Sequence, residues 1–81
     1  MKTVTISLNT IDKVKSFVNE ASSINADIDL ISGRYVIDAK SIMGIFSLDL
    51  SKPIDMRLSY IHDDEEIETE KFNSLAKKYL A

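Results

Sequence analysis

Few side chains in this sequence could do covalent or acid–base chemistry. Its 81 residues include no cysteine and a single histidine, His62. Residue type alone therefore excludes thiolate nucleophiles, disulfides, Cys-based zinc sites and multi-histidine metal clusters. Neither a metal-ligand set nor a cofactor motif can be assembled. His62 has the chemistry of a nucleophile or general base. Asp63, Asp64, Glu65 and Glu66 follow it directly, however, and would repel a phosphate, so it reads as a solvated loop histidine. Thr10 and Ser41 are different, because each precedes a stretch of helical or apolar character. A hydroxyl there can cap a helix by accepting a backbone N–H. No nucleophile–base pair accompanies either residue, so an independent enzyme is not expected.

Charge narrows the partners. The net charge is −3, and six of the 13 acids (Asp63, Asp64, Glu65, Glu66, Glu68, Glu70) fall in one run that holds no Lys or Arg. Such a run reads as the solvated start of a helix, where acids favour the dipole. The remainder carries seven acids against ten bases, without a basic stripe interleaved with aromatics, so no direct nucleic-acid partner is expected. No apolar run approaches the roughly 18 residues of a membrane span. The start, Met1-Lys2-Thr3-Val4-Thr5, lacks a signal-peptide core. The expectation is one cytoplasmic domain over residues 1–81.

The elements that must position these residues follow from periodicity. Val4, Ile6 and Leu8 alternate with Thr3, Thr5 and Ser7, the period of a half-buried strand. Asn9 and Thr10 offer cap oxygens. Ile11, Val14, Phe17, Val18 and Ala21 then keep helical spacing to about Ser23, with Asn25 as a terminator. Ala26, Ile28 and Leu30 alternate with Asp27 and Asp29; Ser32-Gly33 signals a tight turn, and Arg34 to Ile37 returns as the third strand of an antiparallel hairpin. Ser41 opens a two-turn helix through Leu48, which Gly44 weakens by about 1 kcal/mol relative to Ala. Its single inward face takes Ile45 and Leu48, leaving Met43 and Phe46 outward. After Pro53, Ile54, Met56, Leu58 and Tyr60 alternate with Asp55, Arg57 and Ser59 as a fourth strand. The last helix begins with acids and ends near Lys77-Lys78, with Ile67, Lys71, Phe72, Leu75, Ala76 and Tyr79 along one face. One-sided strands and one-sided helices make two layers. The fold class is α+β, an open-faced sandwich in the order β-α-β-β-α-β-α.

That order, together with Lys40-Ser41-Ile42-Met43-Gly44 and the continuation Ile45-Phe46-Ser47-Leu48, resembles the HPr family, the phosphocarrier proteins of the bacterial sugar phosphotransferase system. Ala26-Asp27-Ile28 aligns to the same pattern without a gap. The resemblance covers nearly the whole chain and implies a four-stranded antiparallel sheet with three helices on one face. In the family, a histidine at the start of the first helix accepts a phosphoryl group from enzyme I, and an arginine two residues later and then a proline accompany it. Those positions fall here on Thr10, Asp12 and Lys13. A threonine hydroxyl does not replace imidazole as a reversible relay, and an Asp repels the phosphate that an Arg would pair with. In the family's sheet His62 would lie at the pole opposite Thr10, so it does not supply the missing nucleophile.

Ser41 is the functional position that survives. In Gram-positive relatives the matching serine is phosphorylated by HPr kinase/phosphorylase, and the product binds a LacI-type transcription regulator. The family docks its partners through an apolar patch that corresponds to Ile42, Met43, Phe46 and Ser47. The resemblance thus implies a degenerate member without histidine phosphocarrier activity, similar to the Crh-type regulatory paralogue and acting through Ser41 phosphorylation and partner docking. The alternatives are an active phosphocarrier with an unusual acceptor at Thr10 or His62, and an unphosphorylated interaction scaffold. As to assembly, a monomer or a weak homodimer through the first strand is expected.

Overall fold

A computed structural model describes residues 2–81. Seven elements follow in the expected order: β1 (Lys2–Ile6), α1 (Ile11–Ala21), β2 (Ala26–Ser32), β3 (Tyr35–Asp38), α2 (Ile42–Phe46), β4 (Ile54–Ile61) and α3 (Glu65–Lys78). The strands form one sheet in the order β1-β4-β2-β3, every neighbouring pair antiparallel. Ser32 pairs with Tyr35, so Gly33-Arg34 is the two-residue loop of the β2–β3 hairpin. Gly33 alone takes a positive φ, 59°, among the described residues. That is the first central position of a type II′ turn, where glycine carries no Cβ penalty and the turn matches the strand twist.

Alternation decides the layers. Ile6, Ile28, Leu30, Ile54, Met56 and Leu58 are buried under the helices, against Val14, Phe17, Ala21, Ile45, Phe72, Leu75 and Ala76. Phe17 and Phe72 are the largest fully buried side chains and seat α1 and α3 on the sheet. The opposite face is open and polar. There Asp29 accepts hydrogen bonds from Arg57 Nη2 at 3.1 Å and from the Ser59 hydroxyl, and Thr5 Oγ1 donates to Asp55 at 2.9 Å.

Several expectations need correction. α1 ends at Ala21, not near Ser23, because the hydroxyls of Ser22 and Ser23 bond back to the Val18 and Glu20 carbonyls. β3 begins at Tyr35 because Arg34 belongs to the turn. Ile11 is 62% exposed: as the first residue of α1 its side chain tilts past the helix start and has no preceding turn to cover it. Tyr60 does not share a face with Leu58. The β2–β4 register shifts between Asp27 and Ile28, which pair with Tyr60 and Leu58, so Ser59 is the extra residue of a bulge that turns Tyr60 outward. In α3 the inward stripe is Glu68, Phe72, Leu75 and Ala76, which leaves Ile67 one step off and half exposed. The acidic run is therefore not wholly solvated: Glu68 is buried.

Candidate functional site

Two hydroxyl caps and one histidine carry whatever chemistry the chain has. Thr10 is the N-cap of α1, with extended backbone and its Oγ1 accepting the Lys13 N–H at 3.1 Å. Lys13 in turn reaches Asn9 Oδ1 with its ammonium at 3.1 Å. Asp12 stands exposed in the first turn. The helix start thus holds a hydroxyl engaged as a cap and a carboxylate, which suits the dipole and opposes an incoming anion. Exposed Ile11 lies beside them.

Ser41 is the N-cap of α2. Its Oγ accepts the Gly44 N–H at 3.2 Å, and its own N–H donates to the Asp38 carbonyl at 2.9 Å. The hydroxyl keeps its proton and a second lone pair for other chemistry. The neighbouring Lys40 ammonium donates to the Ile24 carbonyl at 2.8 Å and so ties the α2 start to the end of α1. Gly44 is required by close packing: a Cβ there would come within 2.5 Å of Ile37 Cγ2 on β3. Of the docking residues, Met43 is 77% and Phe46 40% exposed, Ser47 is exposed, and Ile42 is half-buried against the core. Ile45 and Leu48 point inward.

The topology separates these groups. Thr10 follows β1, whereas Ser41 follows β3 and His62 follows β4, two strands that run opposite to β1. Thr10 therefore stands at one pole of the sheet, and Ser41 and His62 at the other. α2 and the loop after it carry the chain back to the first pole, where Ile54 pairs with Ile6. His62 is exposed in the loop after β4, as the sequence suggests, but it is not without partners there. Its Nε2 sits 3.0 Å from Asp27 Oδ1, its ring packs edge-on against Tyr60, and its N–H donates to the Asn25 carbonyl. Sequence reasoning missed this pairing because it depends on the Ser59 bulge, which puts Tyr60 opposite Asp27. Among the described residues no three His, Asp or Glu side chains converge on a metal position, and no helix is long and apolar enough to cross a membrane.

Residues 12–78 match the family described as the PTS HPr component phosphorylation site. The crystal structure of HPr-C-His from Thermoanaerobacter tengcongensis is similar, with a TM-score of 0.71 and 30% identity over 96% of this chain and 93% of that one. The crystal structure of a phosphocarrier protein HPr from Bacillus anthracis str. Ames gives a TM-score of 0.68 and 29% identity over 96% and 93% of the two chains. No curated protein sequence matches the chain. Because the family match spans most of the fold just described, the chain belongs to the HPr family: it is a phosphocarrier-like protein of the phosphotransferase system and not an enzyme.

Proposed function

We propose that this HPr-like protein is a regulatory member of the phosphotransferase system, similar to the Crh-type paralogue and without histidine phosphocarrier activity. The observation that carries the reading is the make-up of the α1 start: Thr10 as the cap and Asp12 in the first turn, with no imidazole near them. The family match begins at residue 12, beyond Thr10. Ser41, at the start of α2, is the acceptor in this reading. The phosphate adds roughly −1.5 to −2 charge and three acceptor oxygens at the positive end of a helix, where it need not disturb the fold.

HPr kinase/phosphorylase is the proposed modifying partner and a LacI-type regulator the proposed target, met through Ile42, Met43, Phe46 and Ser47. Exposed Met and Phe side chains adapt to more than one apolar surface. The chain works as one HPr-like unit over residues 1–81, in the cytoplasm. Incubation with ATP and HPr kinase/phosphorylase of a Gram-positive relative, followed by intact-mass measurement, tests the acceptor. The expected result is a gain of one phosphate that Ser41→Ala abolishes. An unmodified wild-type chain, or a phosphate retained in the Ser41→Ala variant, overturns it.

A further inference from the structure

The two outer edges of the sheet differ. Beside β1, the Ser7 N–H donates to the Tyr79 carbonyl at 2.7 Å and the Ala81 N–H to the Thr5 carbonyl at 3.3 Å, so the last residues line that edge. Beside β3, among the described residues, no strand pairs. The hairpin decides which β3 groups face outward. Ser32 and Tyr35 flank a two-residue loop and so exchange both backbone bonds. The Ala39 N–H donates to the Ile28 carbonyl at 2.9 Å, in step with that period. Tyr35, Ile37 and Ala39 therefore bond inward to β2. The N–H groups of Val36 and Asp38 and the carbonyls of Arg34 and Val36 point away from the sheet. Val36 is 57% exposed and Tyr35 67%. An open edge of this kind accepts a further strand.

We propose that the outer edge of β3 is an interaction surface on which a second copy of this chain adds its own β3 antiparallel. Charge complementarity selects a second copy as the occupant. A two-fold axis through Val36 sets Arg34 opposite Asp38 of the other copy, twice over. Opposite charges in facing positions on a sheet attract. On the axis the two Val36 residues exchange both backbone bonds, and their exposed side chains meet on the open face. Each Asp38 N–H then reaches the Arg34 carbonyl of the other copy. The Asp38 carbonyl takes no part, since it already accepts the Ser41 N–H at 2.9 Å. The pairing also gives Asp38 a cation, whereas within the chain it faces Asp29. Sliding the strands two residues toward Lys40 would set Arg34 opposite Lys40 instead, so like charges fix the register. The arrangement is isologous, closes at two subunits and joins the two sheets into one. The inference is independent of the Ser41 reading.

Sedimentation velocity from micromolar to millimolar chain tests it, since so short an edge makes a small and weak interface. The wild-type chain should shift toward twice its mass as concentration rises. Arg34→Asp and Asp38→Arg each set like charges opposite one another, and each should weaken association by at least about tenfold. The variant carrying both substitutions exchanges the two charges and should associate as the wild type does. Val36→Lys brings two ammonium groups together on the axis and should leave a monomer. All three positions are exposed, so the variants should keep the fold, which circular dichroism checks. A wild-type chain monomeric throughout, or a dimer that survives Val36→Lys, overturns the proposal. So does a doubly substituted chain that associates no better than the single variants.

Discussion

The carboxylate of Glu68, buried on α3, accepts the backbone N–H of Asn25 at 2.7 Å across 43 residues of sequence. Asn25 ends the loop between α1 and β2, and the same loop is held by the His62 N–H on the Asn25 carbonyl and by the Lys40 ammonium on the Ile24 carbonyl. α3, β4 and the lead into α2 thus converge on one short connection. Removing the acceptor strands a backbone donor, so Glu68→Ala is expected to cost about 2–3 kcal/mol. Glu68→Gln keeps an acceptor oxygen and should cost less than about half of that. Urea unfolding of the two variants checks this, and equal losses would contradict the role of the hydrogen bond.

Gly44 tests whether helix propensity or packing decides α2. Propensity alone favours Ala by about 1 kcal/mol, but the added Cβ meets Ile37 Cγ2 at 2.5 Å. Gly44→Ala should therefore destabilise the fold by about 1–3 kcal/mol. Combining it with Ile37→Ala, which clears the space, should recover part of the loss. A double-mutant cycle with no coupling would place the cost elsewhere.

Asp29 and Asp38 stand directly opposite each other on the open face of the hairpin. Asp29 is compensated by Arg57 and Ser59, while the Asp38 carboxylate, among the described residues, accepts only the Lys40 backbone N–H at 2.9 Å. Like charges in facing positions are unfavourable, so Asp38→Asn, which keeps an acceptor for Lys40, should stabilise the fold by about 0.2–1 kcal/mol. The gain should shrink in high salt, which screens exposed charges.

Alkaline pH should weaken the packing of α3 on α1. Burial and the nearby Glu20 charge raise the Tyr79 phenol above its ordinary value, and a hydrogen bond to Glu20, 2.6 Å away, raises the Lys78 ammonium. Both groups hold their protons more tightly when folded. Their contribution is complete below the unfolded-state values and is lost as pH rises through the raised ones. Urea midpoints should therefore fall as pH rises above about 10, the ordinary tyrosine value, and Tyr79→Phe should show a shallower fall. An identical slope in that variant would contradict the assignment.

Much of the fold was legible in the sequence where a local signal carried it. The β2–β3 hairpin rests on Gly33 and on clean alternation, and both hydroxyl caps stand directly before their helices. The inward pair Ile45 and Leu48 and the outward pair Met43 and Phe46 follow from one face of a short helix. What escaped depended on partners distant in sequence. The Ser59 bulge is a property of two strands together, so the side to which Tyr60 turns could not be read from alternation in β4 alone. Glu68 lay within an acidic run whose ordinary place is solvent, and only the loop it fastens accounts for its burial. At the candidate site the residues at the two helix starts could be named, whereas the separation of Thr10 from Ser41 and His62 is set by strand direction.

Whether the start of α1 relays a phosphoryl group is answered by intact mass after incubation with phosphoenolpyruvate and enzyme I. No phosphate should be added under conditions that fully label an HPr bearing a histidine at that position. A gain of one phosphate on this chain, traced to Thr10 or His62, would contradict it and make the protein a working carrier with an unusual acceptor.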